Sequence, residues 1–249
     1  MTPQRMRWTP ELVERFWTGF AQTRLVEMSF SKQAGRSVVL AIEHLLPRDG
    51  RMLDFGAGDG HLIRLMCERG YRVAAYEPSA GRSENLSNTL RDCPGFLGVA
   101  NADSTESFDV VVMAEVIEHI LDEQLDATLS RIAQLTKPAG VLIVTTPNNE
   151  DLELGMAYCP ASNVLFHRWQ HVRSFTAATL AELLARYGFD EIVTHCVEFN
   201  DALFVPGDPL WGGAAADATP PPYIVELRAN RPAMVGAQSN LLYIGVRRE

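Results

Sequence analysis

The sequence predicts an α/β protein built around a doubly wound, mostly parallel sheet. Short apolar runs alternate with helical patterns between residues 51 and 199, which is the order of repeated strand–helix–strand units. The run F-D-V-V-V-M at residues 108–113 is nearly continuously apolar, as is typical of a parallel strand buried on both faces. A glycine-rich turn joins the first strand of this region to its first helix. In such sheets, ligands bind beyond the carboxyl ends of the strands.

Composition limits the classes of function. The chain has 249 residues, 47% hydrophobic and 21% charged, which suits one large domain with a substantial core. Its formal net charge of −9 opposes binding to nucleic acid, and no run of Lys or Arg compensates for it. We expect no secretory signal and no membrane helix, since no apolar run approaches the roughly 18 to 20 residues that a membrane span needs. The four cysteines form no C-x-x-C pair, which indicates a cytoplasmic protein. We expect its substrate to be a small molecule.

The first part of the chain predicts helices. Residues 8–30 form an amphipathic pattern, and Thr9 followed by Pro10 is a helix start signal. A second helical pattern, at residues 35–46, ends before Pro47. We expect residues 1–34 to form a helical lid and residues 35–249 to form the main domain. The aromatic residues of the first helix would then cover the cleft or form the helix's own core face; these are Trp8, Phe16 and Trp17.

The remaining elements follow in alternation. Strands are predicted at residues 51–55, 71–77, 96–100, 108–113, 141–146 and 189–199, and helices at 61–69, 82–91, 122–135 and 176–187. Residues 205–222 are rich in Gly, Ala and Pro and are predicted to form a loop. The run N-L-L-Y-I-G-V-R-R that follows, at residues 240–248, predicts a last strand, which a long preceding loop allows to enter the sheet antiparallel.

The glycine turn, L-D-F-G-A-G-D-G at residues 53–60, predicts the cofactor. Its glycines, Gly56, Gly58 and Gly60, have G-x-G-x-G spacing rather than the G-x-G-x-x-G of dinucleotide-binding turns. Asp54 would repel phosphate but would pair with an ammonium group, and Glu77 at the end of the second strand is placed to accept hydrogen bonds from ribose hydroxyls. Together these residues predict an adenosine ligand that carries positive charge and no phosphate, namely S-adenosylmethionine.

With these motifs the chain resembles the class I S-adenosylmethionine-dependent methyltransferases. The fourth-strand motif F-D-V-V-V-M-A-E-V-I-E-H-I and the fifth-strand motif L-T-K-P-A-G-V-L-I-V-T-T-P-N extend the resemblance over roughly residues 35–200. It implies a Rossmann-like sheet with strand order 3-2-1-4-5-7-6 and an antiparallel seventh strand. It also implies a polar side chain near the adenine, for which Asn101 and Asp103 are the candidates, and we assign this position to Asp103. Within the class, the motifs look most like the ubiquinone-type O-methyltransferases and the 3′-terminal RNA 2′-O-methyltransferases.

A second polar cluster, F-H-R-W-Q-H-V-R-S-F, lies at residues 166–175 after the fifth strand. His167 and His171 are each candidates for the general base that removes a proton from a hydroxyl. Arg168, Trp169 and Arg173 are candidates for binding the methyl acceptor. The alternative is structural: the tryptophan packs and the histidines cap the following helix.

The segment A-E-V-I-E-H-I at residues 114–120 has two interpretations. In an α-helix, Glu115, Glu118 and His119 would share one face, as in a metal site or an acid/base pair. Resemblance to the RNA-terminal enzymes implies a divalent ion on these residues and on a later histidine, either His171 or His167. Resemblance to metal-free members of the class places Glu115 beside the cofactor and His119 in the acceptor pocket, where it is a third candidate base. We favour no metal.

The sequence therefore predicts an S-adenosylmethionine-dependent methyltransferase that O-methylates a small hydroxylated acceptor, such as a sugar, a lipid-linked metabolite or a phosphate-bearing metabolite. Two alternatives stay open. One is a metal-dependent RNA 3′-terminal 2′-O-methyltransferase, and the other is a non-catalytic protein that binds the cofactor and acts through a partner. A nicotinamide dehydrogenase is disfavoured by the spacing of the glycines.

Overall fold

The computed structural model describes residues 2–101, 103–204, 208–211 and 220–249. The strands within these residues are β1 Gln4–Arg5, β2 Met52–Phe55, β3 Val73–Tyr76, β4 Phe96–Val99, β5 Phe108–Ala114, β6 Thr136–Pro147, β7 Met156–Cys159, β8 Val164–His167, β9 Phe189–Val197 and β10 Asn240–Arg247. The α-helices are α1 Pro10–Ala21, α2 Phe30–Ile42, α3 His61–Glu68, α4 Ala80–Thr89, α5 Asp122–Leu135, α6 Ala177–Ala185, α7 Asp201–Phe204 and α8 Pro222–Arg228. The described residues also form four short 3₁₀ turns: Arg24–Met28, Glu43–Leu45, Ile117–His119 and Pro209–Trp211.

The central sheet has seven strands in the order β4-β3-β2-β5-β6-β10-β9. Its strands β2 to β6 pair in parallel, and β10 is antiparallel to both β6 and β9. With the strands of this sheet counted along the chain, the order is the predicted 3-2-1-4-5-7-6, and the antiparallel last strand is confirmed. The carboxyl ends of β2, β3, β5 and β6 therefore meet at one edge.

Helices cover both faces of this sheet. Alternate strand residues enter opposite cores, as the two-residue repeat of a strand requires. Met52 and Val110 pack with α2, α3 and α8, whereas the next residues, Leu53 and Val111, pack with α5 and α6. Because both faces are covered, the central strands are apolar at nearly every position, which explains the continuous run in β5.

A smaller sheet lies beside the central one. Its strand order is β1-β8-β7, with β1 parallel to β8 and β7 antiparallel to β8. The sequence did not predict this hairpin of β7 and β8 or the pairing of the N-terminal segment with it. Thr9 caps α1, since its hydroxyl accepts a hydrogen bond from the backbone N–H of Leu12 at 3.4 Å.

The structure corrects the α-helical interpretation of residues 114–120. Ala114 ends β5, Glu115 has a φ of +51°, and Ile117–His119 form a single 3₁₀ turn. The α-helix begins only at Asp122, which together with Glu123 supplies the acidic first turn that favours a helix N-terminus. Between these elements the chain is extended at Leu121, whose side chain is 4% exposed and enters the core.

The predicted loop at residues 205–222 lies largely outside the described residues. Its described residues include the 3₁₀ turn Pro209–Trp211 and the start of α8. Before it, Asp208 is anchored by Arg69, whose Nη1 lies 3.2 Å from the Asp208 carboxylate. The same guanidinium stacks over the ring of Trp211 with 4.7 Å between the Cζ atom and the ring centroid.

Candidate active site

The glycine turn forms an open cradle at the end of β2. Gly56 has a φ of +81°, and a Cβ atom there would lie 2.7 Å from Cγ2 of Val116. Gly58 also has a positive φ, +56°, but a Cβ atom there would meet nothing within 4 Å. Gly60 is in the left-handed conformation directly before α3. The turn is thus packed against the protein at Gly56 and faces open space at Gly58, where the backbone can approach a ligand.

Two buried carboxyl groups flank this cradle. Glu77, 7% exposed, accepts hydrogen bonds from the backbone N–H of Gly58 at 3.2 Å and of Ser79 at 3.1 Å. Arg82 lies 2.9 Å from the same carboxylate. Burial raises the pKa of Glu77, and Arg82 and the two N–H donors oppose that shift. Asp54 is 3% exposed, and burial, reinforced by Asp59 and Glu77, raises its pKa to about 7.

The turn after β5 points two residues in different directions. Val116 packs against Gly56 of the glycine turn. The side chain of Glu115 instead reaches the other half of the sheet, where its Oε1 accepts a hydrogen bond from Asn240 at 3.2 Å. Its own N–H donates to the carbonyl oxygen of Thr145 at 3.0 Å. Burial raises the pKa of Glu115 to about 7. Its predicted contact with the cofactor stays a prediction.

Glu118 and His119 are buried together. Glu118 is fully buried, and its Oε2 accepts a hydrogen bond from the hydroxyl of Thr146 at 3.0 Å. Its Oε1 has no hydrogen-bond partner within the described residues and lies 3.8 Å from Nε2 of His119. Burial, and then the neighbouring Glu115, raise the pKa of Glu118 well above its usual value. Burial, and then His171, lower the pKa of His119 to about 3, so His119 is a neutral imidazole.

The tertiary structure brings all three candidate bases together. The rings of His119 and His171 have centroids 4.8 Å apart, and those of His167 and His171 stack at 4.6 Å. Glu150 joins the cluster, with its Oε2 2.5 Å from Nδ1 of His171 and its Oε1 3.4 Å from Nε2 of His167. Burial acts to raise the pKa of Glu150, but the contacts with His167 and His171 outweigh it and lower that pKa to about 2.

Helix α1 packs on this cluster. The ring of Trp17 contacts His119 edge-on at 4.9 Å between centroids. Its Nε1–H donates to Oε1 of Gln170 at 2.9 Å, and the amide nitrogen of Gln170 donates to the carbonyl oxygen of His119 at 3.0 Å. From the same helix, Glu14 accepts a hydrogen bond from the hydroxyl of Ser79 at 2.6 Å, next to Glu77. The helix thus touches both the cofactor half and the histidine half of the site.

The candidate acceptor-binding residues differ in exposure. Arg168 is exposed, and Trp169 lies with its ring centroid 6.2 Å from that of Phe20 in α1. Arg173 is engaged by the protein: its guanidinium donates to the carbonyl oxygens of Ile117 and Ile120 and lies 2.6 Å from Asp122. Its donors therefore hold the turn before α5, and a role in binding substrate stays a prediction.

Asp103 is exposed, within the turn that follows β4. In that turn the backbone N–H of Ser104 donates to the carbonyl oxygen of Asn101 at 3.0 Å. The described residues show no bond from the Asp103 side chain to the glycine turn or to Glu77. The prediction that Asp103 lies near the adenine is therefore untested.

The same cluster offers donor sets for a metal ion. Among the described residues, one atom each from Glu118, His119 and His171 lie within 4.8 Å of one another, and so do atoms from Glu150, His167 and His171. Glu115 lies close enough to the first set for its charge to help raise the pKa of Glu118. The ligands in both sets are carboxylates and imidazoles, which suit Mg²⁺, Mn²⁺ or another ion of intermediate softness.

Glu150 and Gln170 are the site residues that the sequence alone did not single out. Glu150 follows the strand end T-T-P-N-N, and a carboxyl group just beyond the carboxyl end of a buried strand was the signal available. Gln170 had no such signal, because its importance comes from a φ of +62° and from contacts with residues far away in the sequence.

A comparison with protein families identifies the class. Residues 30–195 match the model of a methyltransferase domain. The chain belongs to this family. The predicted class, an S-adenosylmethionine-dependent methyltransferase, and the predicted Rossmann-like fold are confirmed.

Characterised relatives and solved structures give the detail. The chain is 33% identical over 172 residues to a ubiquinone biosynthesis O-methyltransferase of Rhodopseudomonas palustris (strain HaA2), with 65% of this chain and 64% of the relative covered. A relative of the same description from strain TIE-1 is 35% identical over 125 residues, 48% of this chain and 47% of the relative. The match thus spans about half the length of that relative.

Two solved structures share the fold. A methyltransferase in complex with the Trm112 methyltransferase activator of Haloferax volcanii aligns with a TM-score of 0.62 at 17% identity, covering 94% of this chain and 98% of that one. The 1,6-didemethyltoxoflavin-N1-methyltransferase of Burkholderia thailandensis aligns with a TM-score of 0.58 at 17% identity, covering 99% and 94%. Separately, none of the helices in the described ranges has the length and apolar character of a membrane span.

Proposed function

We propose that this protein transfers a methyl group from S-adenosylmethionine to a hydroxyl group of a small acceptor in the cytoplasm. The observation that carries the proposal is the hydrogen bond of 2.5 Å between Glu150 and Nδ1 of His171, set in a cluster of histidines at the carboxyl edge of the sheet. The relatives are named for O-methylation, which supports an oxygen as the nucleophile.

The cofactor would bind at the glycine turn. Three features of the chain fit it: open space at Gly58, a strand-end carboxylate at Glu77 for the ribose hydroxyls, and the buried Asp54. Asp54 has no cationic partner within 4 Å among the described residues, so an ammonium group would complete its environment. Bound S-adenosylmethionine supplies an electrophilic methyl group for in-line transfer.

His171 would be the general base. His119 is a weak base, because burial lowers its pKa to about 3. His167 is 2% exposed, and its Nδ1 already accepts hydrogen bonds from the backbone N–H groups of His171 and Trp169. His171 has a carboxylate on Nδ1 and keeps Nε2 for a substrate proton. Such a base contributes about 10²- to 10⁴-fold to rate.

A cavity of about 250 Å³ beside the histidines would receive part of the acceptor. Its walls are largely apolar, with Trp8, Met156 and Phe166 among its lining residues, and both His167 and His171 border it. Its cation, Arg5, is already paired with Glu153. These walls favour a hydroxylated molecule with an apolar or aromatic body over one that carries phosphate.

Two measurements test the proposal. Calorimetry should show S-adenosylmethionine binding, and a coupled assay of S-adenosylhomocysteine hydrolysis should show homocysteine released with one or more members of a panel of phenols, catechols and sugars. His171→Gln should reduce the rate by at least a hundredfold while leaving cofactor affinity unchanged. Binding without turnover across the panel would instead favour the non-catalytic alternative, and absence of binding would overturn both.

A second candidate is favoured by one observation: atoms of Glu118, His119 and His171 lie within 4.8 Å of one another, and Oε1 of Glu118 lacks a hydrogen-bond partner in the described structure. We infer that a divalent ion held there, with Glu115 nearby, would bind adjacent hydroxyl groups of an acceptor, including the terminal ribose of an RNA. The net charge of −9 disfavours RNA. Activity that chelator abolishes and Mg²⁺ or Mn²⁺ restores, and that Glu118→Gln removes, would support this candidate; activity insensitive to chelator would end it.

A further inference from the structure

We propose that Glu150 and His167 are positioning residues that hold His171 as its Nδ1–H tautomer, so that Nε2 carries the free lone pair. The proposal rests on the proposed function for its catalytic meaning. Its geometric content, that two stacked histidines are held in opposite tautomers, stands without it.

The tautomer of His171 follows from Glu150. Nδ1 of His171 lies 2.5 Å from Oε2 of Glu150, and a glutamate carboxyl is ionised at neutral pH. An ionised carboxylate only accepts hydrogen bonds. Nδ1 must therefore carry the hydrogen, and in the neutral ring Nε2 is then unprotonated.

The tautomer of His167 is set by the backbone and is the opposite one. Its Nδ1 accepts the N–H of His171 at 3.0 Å and the N–H of Trp169 at 3.4 Å. A nitrogen that accepts N–H groups has no hydrogen of its own, so the neutral ring carries its hydrogen on Nε2. That Nε2 lies 3.4 Å from Oε1 of Glu150. This Nε2 makes no hydrogen bond within the described residues. His167 holds His171 instead through its Nδ1, which accepts the backbone N–H of His171, and through the stacking of the two rings at 4.6 Å between centroids.

The packing leaves this arrangement little freedom. His167 is 2% exposed, and Gly155 lies against its ring so closely that an added Cβ atom would be 1.8 Å from Nε2. The backbone of Gly155 is itself fixed by a hydrogen bond of 3.0 Å from the N–H of Arg168. Glu150 is held by its neighbour Asn149, whose N–H donates to the carbonyl oxygen of Phe175 at 2.7 Å.

The arrangement determines which atom takes the substrate proton. When the acceptor oxygen forms its bond to the methyl carbon and the sulfur–methyl bond breaks, the hydroxyl proton moves to Nε2 of His171. The resulting imidazolium keeps its Nδ1–H bond to the ionised Glu150, which stabilises the new positive charge. Glu150 itself gains no proton in this step.

The test reads the tautomers directly and uses no acceptor. Long-range ¹⁵N–¹H correlation spectra of the ¹⁵N-labelled full chain at pH 8 distinguish the two neutral forms of each of the six histidines, which single His→Gln variants assign. We expect the Nδ1–H form at His171 and the Nε2–H form at His167. His195 is an internal reference, since its Nδ1 accepts the N–H of Ala233 at 3.1 Å and it should also show the Nε2–H form.

Substitution then tests the cause. In Glu150→Gln, the amide both donates and accepts, so His171 should lose its single tautomer while His195 stays unchanged. Glu150→Ala provides a second variant if the first fails to fold. With any active acceptor, kcat should fall about 10- to 100-fold, as for other residues that orient a functional histidine, with the KM for S-adenosylmethionine unchanged. Glu226→Gln, which removes an exposed ion pair to Arg231, is the matched control.

Two results would overturn the proposal: the Nε2–H form at His171 in the wild-type protein, or an unchanged tautomer in both Glu150 variants. A normal kcat in a Glu150 variant whose His171 tautomer has changed would remove its catalytic meaning. The two tautomer results depend neither on S-adenosylmethionine binding nor on the acceptor panel, so failure of the proposed function is distinguished from failure of this proposal.

Discussion

Gly56 and Gly58 lie two residues apart in one turn, and their environments predict that alanine at Gly56 mainly lowers stability whereas alanine at Gly58 mainly lowers cofactor affinity. Both have positive φ, +81° and +56°, so an alanine at either position carries a left-handed strain of about 1–2 kcal/mol. Only at Gly56 does the new methyl group also collide, at 2.7 Å and 3.1 Å from the two Cγ atoms of Val116. Overpacking of a β-branched neighbour adds about 1–3 kcal/mol.

Gly56→Ala should therefore lower the free energy of unfolding by about 2–5 kcal/mol, and Gly58→Ala by about 1–2 kcal/mol. Because both variants reduce the entropy of the unfolded chain equally, the difference between them isolates the collision. Urea unfolding followed by circular dichroism measures it. For S-adenosylmethionine the order should reverse: Gly58→Ala fills the space where we place the cofactor and should weaken binding at least about tenfold, or 1.4 kcal/mol.

Equal destabilisation by the two substitutions would refute the assignment of Val116 as the wall behind Gly56. Wild-type affinity of Gly58→Ala for S-adenosylmethionine, measured by calorimetry, would refute the placement of the cofactor over Gly58. Both variants keep the charge of the turn, so an electrostatic explanation does not compete.

Three further predictions concern the cofactor half of the site and helix α1. Burial raises the pKa of Asp54 to about 7, and we expect only its ionised form to bind the ammonium group of the cofactor. Below pH 7 binding must first remove a proton from Asp54, so affinity for S-adenosylmethionine should fall about tenfold for each unit by which the pH is lowered. Calorimetry across pH 5.5–8 checks this, and a slope that persists in Asp54→Asn would contradict it. Glu77→Gln removes a charged acceptor and the ion pair with Arg82, and the dissociation constant should rise about 10- to 100-fold; an unchanged constant would argue against a ribose contact. Trp17→Phe deletes the N–H that satisfies the fully buried Gln170, and unfolding should become easier by about 1 kcal/mol, measured in urea with cofactor affinity as the control; unchanged stability would mean that α1 is not held through this bond.

Much of the fold was predictable because the central sheet obeys local rules. The two-residue alternation of Met52 and Leu53 between opposite cores, and the helix breaks at Gly70 and Gly188, are set by short-range sterics and burial. The α-helical interpretation of residues 114–120 was wrong, because Glu115 has a φ of +51° and Ile117–His119 form a 3₁₀ turn, whereas the helix predicted at residues 122–135 was confirmed.

The site divides in the same way. Gly58 and Glu77 were predictable, since a cofactor turn is a local motif with fixed spacing. The grouping of His119 with His171 was not fixed by sequence, because the two residues are 52 positions apart and meet only when the segment after β6 folds back over the turn after β5. Which acceptor-side residues are free to bind also depended on packing, as Arg173 is occupied by the turn before α5.

The sequence by itself determined the cofactor and the class of protein, because both depend on contiguous motifs, and the resemblance that those motifs carry implied the strand order. Only the tertiary structure decided the chemistry of the acceptor side. There Glu150 meets His171, backbone N–H groups bind Nδ1 of His167, burial lowers the pKa of His119, and contacts with the histidines lower the pKa of Glu150. The physical reason is that a proton's position depends on distance, solvation and hydrogen-bond partners, and residues far apart in the chain acquire these only after folding.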